Sequence, residues 1–142
     1  MATLQKVRAL VAMMSERKIF DQCLKKVTVV AAEPGKVVAE LEVAEEHQNG
    51  LGTLHGGMTA TLIDSLTTIA LLSRESGQPG VSIDLNVSYL SAASTGEIVT
   101  ITAEALKVGR TMAFTTAELK RQDGAIVARG SHTKHLGNPK TN

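Results

Sequence analysis

Apolar and polar residues alternate along much of this chain with the two-residue period of a β-strand. The first two segments of this kind, residues 26–31 and 36–43, lie on either side of Glu33-Pro34-Gly35. Proline followed by glycine favours a tight turn. We therefore predict that the two segments form an antiparallel hairpin.

The second half of the chain shows the same alternation and predicts four more strands. Between residues 81 and 89, apolar side chains at the odd positions alternate with polar ones. This pattern predicts a strand with one apolar face and one polar face. The three further strands are predicted at residues 97–107, 111–120 and 125–134, with short turn sequences at 108–110 and 122–124 between them.

Two other segments repeat their apolar residues with the period of a helix. Residues 1–20 contain an apolar stripe beside basic residues, which predicts an amphipathic N-terminal helix that docks on the domain. A weak organelle-targeting helix is the alternative for this segment. Residues 58–72 are apolar nearly all round apart from one carboxylate, Asp64, so we predict a buried central helix that begins near Gly56.

The predicted order of elements is one helix, two strands, a long helix and four strands. With tight turns between most neighbouring strands, this order favours an α+β fold in which an antiparallel sheet wraps around the one long apolar helix. A chain of 142 residues is the size of a single domain, here 1–142. Residues 137–142 are predicted to form a loose tail.

The amino-acid composition argues against several classes of function and structure. The net charge is +1, from 15 basic and 14 acidic residues, and Phe20, Tyr89 and Phe114 are the only aromatic residues. We expect no nucleic-acid partner, because the chain has neither a one-sided basic charge nor aromatic side chains on which bases would stack. No apolar run approaches the ~20 residues of a membrane span. Cys23 is the only cysteine, which excludes an internal disulfide.

The candidate chemistry lies where a glycine-rich loop enters the central helix. This loop begins at Asn49 and ends in His55-Gly56-Gly57. Glycine lets a ligand approach the backbone closely, and the N–H groups of a first helical turn lack intrahelical acceptors and lie at its positive end. The arrangement predicts an oxyanion hole, which stabilises the negative charge that develops on a carbonyl oxygen.

Asp64 follows this loop along the helix but is too distant to act together with it. Eight residues separate Asp64 from Gly56, which corresponds to about 12 Å along a helix axis. Groups that act on one carbonyl must lie within about 3 Å of the reacting atoms. We therefore predict that Asp64 acts on a substrate held by a second, antiparallel copy of the helix, in a site shared across a two-fold dimer.

These features together resemble the hotdog-fold acyl-coenzyme A thioesterases. The resemblance rests on the His55-Gly56-Gly57 entry to the helix, on Asp64 eight residues later and on the polar segment that starts at Ser82. It extends over residues 2–138. The resemblance implies a hotdog fold and the hydrolysis of medium- to long-chain fatty acyl-coenzyme A. Coenzyme A (CoA) is then part of the substrate, and no separate cofactor is expected.

The resemblance also implies roles for five residues. The amide of Gly56 would be the oxyanion donor, with His55 shaping its loop. Asp64 would be the general base or the nucleophile, and partial removal from water would make it a better proton acceptor. Asn49 would donate its side-chain amide to the loop or to the attacking water, and Ser82 would hold that water together with Asp64. Each residue type also has an ordinary structural explanation: close packing for the glycine, a surface position for the acid, a turn for the asparagine and an exposed strand for the serine.

Because CoA carries a pyrophosphate and a 3′-phosphate, basic side chains and free amides should surround the mouth of its pocket. The candidates lie in the turn between two predicted strands and near the C-terminus: Lys107, Val108, Gly109, Arg110, Thr111, Lys134 and His135. We predict no metal site, because His132 and His135 are three residues apart in a strand and point to opposite faces.

Three other functions stay open from the sequence. A hydrolase for aromatic acyl groups such as phenylacetyl-CoA would differ only in the width of its pocket. A hotdog dehydratase would use a histidine and an acid on the β-carbon of the acyl group. A non-catalytic subunit would bind acyl-CoA without turnover. The resemblance further implies a homotetramer built as a dimer of dimers, a lipid-transfer protein as partner, and cytoplasmic and mitochondria-associated locations.

Overall fold

Two helices and six strands make up the chain in the computed structural model, which describes residues 2–137. The helices are α1 (Ala2–Glu16) and α2 (Gly56–Leu72). The strands are β1 (Thr28–Glu33), β2 (Lys36–Glu42), β3 (Val81–Tyr89), β4 (Ile98–Val108), β5 (Met112–Arg121) and β6 (Ile126–His135). Two short 3-10 helices, Phe20–Leu24 and Glu45–His47, precede β1 and follow β2.

The six strands form one antiparallel sheet in the order β1-β2-β4-β5-β6-β3. β1 and β2 form the predicted hairpin, in which Glu33 pairs with Lys36 and Gly35 takes the φ of +84° that favours glycine. The connection through α2 leads to β3, which pairs with β6 alone. The outer edge of β3 is therefore unpaired within residues 2–137.

Helix α2 forms the centre of the core, where it contacts β2, β4, β5 and β6. Its fully buried side chains include Leu62, Ile63, Leu66 and Ile69. Each such aliphatic side chain stabilises the fold by ~1.5–3 kcal/mol relative to an exposed position. Ile63 lies directly against β6, because Gly130 has no side chain there. A sheet packed around one long buried helix confirms the predicted α+β hotdog fold.

The N-terminal helix is shorter than the predicted span 1–20. Helix α1 buries Val7 and Val11 and packs against β1, but it ends at Glu16. The apolar stripe stops at Met14, so a further turn would bury nothing. Neither α1 nor α2 is long and apolar enough to cross a membrane. Of the predicted tail 137–142, all but the first residue lies outside the described part of the chain.

Strand β3 departs from the predicted alternation at its start. A bulge between Ser82 and Asp84 places one extra residue, Ile83, opposite β6. Since one extra residue reverses the faces of a strand, Ser82 lies on the helix-facing side together with Leu85. The predicted alternation, which puts Ser82 on one polar face with Asp84, is therefore wrong at this position. The bulge also leaves Ile83 52% exposed.

Candidate active site

The first turn of α2 presents a backbone amide that no group in the described chain occupies. His55 is the N-cap residue, and its Nδ1 accepts a hydrogen bond from the N–H of Gly57 at 2.8 Å. A Cβ on Gly57 would lie 3.0 Å from that same nitrogen, which explains the second glycine. Within residues 2–137 the N–H of Gly56 has no acceptor. It lies at the positive end of α2, as an oxyanion donor requires.

Tyr89, at the end of β3, fixes the position of this first turn. Its hydroxyl donates to the carbonyl oxygen of Gly56 at 2.7 Å. A Cβ on Gly56 would lie 3.4 Å from the tyrosine ring, which is ordinary van der Waals contact. That carbonyl belongs to the peptide between Gly56 and Gly57, so Tyr89 fixes the turn that carries the Gly56 N–H rather than the peptide plane of that N–H itself. A preorganised donor of this kind stabilises developing charge without having to reorient.

Asn49 organises the loop that precedes α2. Its Oδ1 accepts from the N–H groups of Leu51 and Thr53, at 2.9 and 3.2 Å. Its Nδ2 donates to the hydroxyl of Thr53 at 2.8 Å. These bonds give Asn49 the turn-forming role that asparagine often has. Its predicted contact with the attacking water stays a prediction.

Asp64 lies two turns into α2 on a side of the helix that faces solvent in the single chain. Its side chain is 52% exposed, although Ile63 beside it is fully buried. The carboxylate oxygen Oδ1 lies 4.0 Å from Nε2 of His132 on β6. Asp64 is thus accessible to a substrate. It lies beside the inward face of β3 and β6 rather than beside the Gly56 amide.

His132 links this face together through both of its ring nitrogens. Its side chain is completely buried, with Nδ1 2.8 Å from the hydroxyl of Thr67 and Nε2 2.6 Å from the hydroxyl of Ser82. Thr67 donates its own proton to the carbonyl of Ile63. Its oxygen must therefore accept from Nδ1–H, which leaves Nε2 to accept from Ser82. The Ser82 oxygen then keeps its lone pairs for another donor.

Burial also affects the protonation of His132. Removal from water lowers the pKa of His132, and Lys134 adds to this effect, while the carboxylates of Asp64 and Asp84 oppose it. The lowered pKa favours the neutral imidazole. In the neutral ring, Nδ1 carries the proton that Thr67 accepts, and Nε2 accepts from Ser82.

Lys134 occupies a different place from the one expected. We predicted it at the open mouth of a CoA pocket, but its side chain is buried and its Nζ donates to Thr68 Oγ1 at 2.7 Å. Lys134 pairs with Ser82 across the strands and is two residues from His132, so all three face α2. Burial lowers the pKa of Lys134, an effect that Asp64 partly offsets.

The other predicted CoA contacts lie around the turn between β4 and β5. Gly109 N–H donates to the carbonyl of Met112, and the carbonyl of Thr111 accepts from Leu136 N–H. Lys107 and Arg110 are exposed. Val108, Gly109 and Arg110 line a cleft of about 170 Å³ with the C-terminal end of α2. His135 is half-buried, and its Nδ1 accepts from Gly137 N–H.

His132 is the functional candidate that the sequence reasoning missed. It was considered only as a metal ligand, and residues 2–137 contain no group of three histidine, cysteine or acidic side chains able to hold a metal. The available signal was the alternation in β6, which places His132 on the same face as Gly130 and Lys134. The bulge that brings Ser82 to this face gave no signal in the sequence.

Comparison with known proteins places this geometry in a family. Residues 51–128 match the Thioesterase superfamily. Human acyl-coenzyme A thioesterase 13 is 50% identical over 135 residues, which is 94% of this chain and 96% of that protein. The crystal structure of zebrafish thioesterase superfamily member 2 has a TM-score of 0.92 at 50% identity and covers 94% and 98% of the two chains. The mouse member 2 structure has a TM-score of 0.87 at 48% identity, with 94% and 97% covered. The chain belongs to the thioesterase superfamily and is a thioester hydrolase.

Proposed function

We propose that this protein hydrolyses medium- to long-chain fatty acyl-CoA to a free fatty acid and CoA. The observation that carries the proposal is the combination, on one helix, of the unoccupied Gly56 amide with the half-exposed carboxylate of Asp64. The names of the human and mouse relatives at 50% identity, acyl-coenzyme A thioesterase 13, support acyl-CoA as the class of substrate. Since CoA enters as part of the substrate, the proposal needs no separate cofactor.

The proposed site is shared between two copies of the chain. Gly56 and Asp64 are about 12 Å apart along α2, so one thioester can meet both groups only if each comes from a different copy. The free edge of β3 supports this proposal, because Val81 and Ile83 on that strand are 66% and 52% exposed. Unpaired strands with exposed apolar residues favour pairing with another chain. A two-fold axis through paired β3 edges would bring the two α2 helices alongside each other.

The proposed reaction uses the groups of both copies. The thioester carbonyl accepts from Gly56 N–H of one copy, while Asp64 of the other takes a proton from water. The resulting hydroxide adds to the carbonyl carbon, and the oxyanion stays on the Gly56 amide until the carbon–sulfur bond breaks. CoA leaves as a thiolate, which needs no strong acid. If Asp64 instead acts as the nucleophile, water hydrolyses the anhydride that it forms.

Ser82 and His132 have a supporting role in this scheme. Because Ser82 donates its proton to Nε2 of His132, its oxygen is left as an acceptor near Asp64. A water between Ser82 and Asp64 could donate one proton to each oxygen. That contact would orient its lone pair toward the carbonyl carbon, which is the kind of positioning that raises rates.

The family resemblance adds further elements to the proposal. We propose that two such dimers form a tetramer, that a lipid-transfer protein is a partner, and that the protein works in the cytoplasm and in association with mitochondria. These elements come from the resemblance and not from contacts within residues 2–137.

A hydrolysis profile tests the proposed substrate. Thiol release would be measured over straight acyl-CoA chains of increasing length and over phenylacetyl-CoA. We expect kcat/KM to be highest for medium to long chains. A maximum for phenylacetyl-CoA would favour the aromatic alternative. An enoyl chromophore without free thiol would indicate a dehydratase, and tight binding without turnover would indicate a non-catalytic subunit.

A further inference from the structure

The cleft at the C-terminal end of α2 contains two arginines that have no ion-pair partner among residues 2–137. Arg74, just after the helix, and Arg110, in the β4–β5 turn, both line this space of about 170 Å³. Neither forms a salt bridge or a side-chain hydrogen bond with any residue in the described range 2–137. An arginine without an acidic partner beside a cleft is suited to an anionic ligand.

The local charges favour an anion despite one acidic neighbour. Glu75 also lines the cleft, so the three charged side chains there sum to one positive charge. The carbonyl end of a helix would by itself repel an anion. That repulsion is reduced here, because the last-turn carbonyls of Ile69 and Ala70 both accept from Ser73, through its N–H and its hydroxyl.

The stem of Arg74 is held by packing as well. Gly35, in the β1–β2 turn, lies beside this stem: a Cβ added to Gly35 would be 3.8 Å from both Cγ and Cδ of Arg74. It would lie equally close to the side chain of Ala105, on the strand that leads into the β4–β5 turn. The aliphatic part of Arg74 therefore lies against the end of the β1–β2 hairpin. A stem packed in this way loses less freedom when its guanidinium binds a ligand.

The distance between Asp64 and Arg74 is compatible with the length of an acyl-CoA substrate. This inference rests on the proposed function. Asp64 lies eight residues, about 12 Å along the axis, before the last residue of α2, and Arg74 follows two residues after that end. An extended pantetheine arm has a comparable length. If the thioester lies at Asp64 of one copy, the nucleotide half of CoA can reach the cleft at the end of that same α2.

We propose that Arg74, together with Arg110, binds the phosphate groups in the nucleotide half of CoA and so makes the enzyme prefer CoA thioesters to pantetheine thioesters. Guanidinium groups suit this task, because their planar donors bind phosphate oxygens in pairs. Arg110 was expected from the sequence to contact CoA, whereas Arg74 was not. Arg74 would be a specificity-determining residue and would leave the chemistry at the carbonyl unchanged.

The test compares two substrates that differ only in the nucleotide half, an acyl-CoA and the same acyl group on pantetheine. For Arg74→Ala, we expect kcat/KM for acyl-CoA to fall on the order of tenfold, through KM, because charge-assisted hydrogen bonds to phosphate are lost. The kcat/KM for acyl-pantetheine should stay unchanged. Arg17→Ala is the matched control, since Arg17 is an exposed arginine remote from the cleft in sequence.

Two results would overturn the assignment of Arg74. One is an equal loss on both substrates, which would indicate a structural effect. The other is no loss on acyl-CoA in a variant that folds as the wild type does. In both cases the wild-type protein still hydrolyses acyl-CoA. If the proposed function itself were wrong, the wild type would hydrolyse neither substrate, so the two failures are distinguishable.

Discussion

Asp64 and His132 lie side by side where helix α2 meets strand β6. Asp64 is half-exposed on an otherwise buried stretch of α2, and His132 is fully buried 4.0 Å away. Asp64 is thus a surface residue, as the ordinary structural explanation expected. It also lies beside a buried, hydrogen-bonded histidine, which that explanation did not expect. Exposure makes Asp64 available to a substrate, while the hydrogen bond between Nε2 of His132 and the hydroxyl of Ser82 fixes the orientation of Ser82.

Replacing Asp64 should separate catalysis from binding. For Asp64→Asn we expect kcat to fall by about 10²–10⁴, because the proton acceptor or nucleophile is lost, with little change in substrate affinity. Steady-state thiol release and a binding titration would measure the two effects. Glu16→Gln at the end of α1 is the matched control, and its kcat should equal that of the wild type. If Asp64→Asn has the same kcat as the wild type at saturating substrate, Asp64 has no catalytic role.

The buried imidazole of His132 should make stability depend on pH. Burial lowers the pKa of His132 from its ordinary 6.5, so below pH 6.5 the unfolded chain binds a proton that the folded chain resists. The free energy of unfolding should therefore decrease as the pH falls below 6.5. The slope due to this one group is at most about 1.4 kcal/mol per pH unit.

Urea unfolding of the wild type and of His132→Asn at several pH values would measure this dependence. The slope below pH 6.5 should be shallower in the variant. It should not vanish, because burial also lowers the pKa of His47 in the same direction. Identical slopes in the two proteins would show that His132 does not resist protonation in the folded state.

At the scale of elements, the sequence predicted the helices and strands that depend on local patterns. It did not predict the features that depend on how the strands pair with each other. The β1–β2 hairpin followed from one turn signal, and α2 followed from its apolar period. The bulge at Ile83 depends on how β3 pairs with β6, which no local pattern encodes. For this reason the inward position of Ser82 and its bond to His132 were not predicted.

Gly130 should be a sensitive point in the packing of α2 on β6. A Cβ there would lie 2.9 Å from Cδ1 of Ile63 and 3.0 Å from the carbonyl oxygen of Asn86. We expect Gly130→Ala to lower the free energy of unfolding by about 1–3 kcal/mol, because either the helix or the strand must shift. Gly50→Ala is the control, since no atom lies within 4 Å of a Cβ at that position. Equal stability of the two variants would refute this account of the packing.

The account of the whole molecule depends on a second copy of the chain. The proposed oxyanion donor is at the start of α2 and the proposed catalytic acid is two turns along it, a separation that folding of one chain does not remove. The unpaired edge of β3, with Val81 and Ile83 exposed, provides a surface on which another copy can dock. The spacing in the sequence was enough to predict this requirement, because a helix has a fixed rise per residue.

Complementation between two inactive variants tests the shared site most directly. Gly56→Pro removes the oxyanion N–H at the first helical position, where proline is tolerated, and the extended backbone of His55 suits a following proline. Asp64→Asn removes the acid. The two variants would be co-expressed with different tags and purified through both. In such a mixed dimer one site combines the intact Gly56 with the intact Asp64, and the other site lacks both.

We predict that the mixed dimer recovers on the order of half of the wild-type kcat, while each variant alone stays nearly inactive. Mixed dimers that form and bind substrate, yet hydrolyse acyl-CoA no faster than their parents, would contradict the shared site.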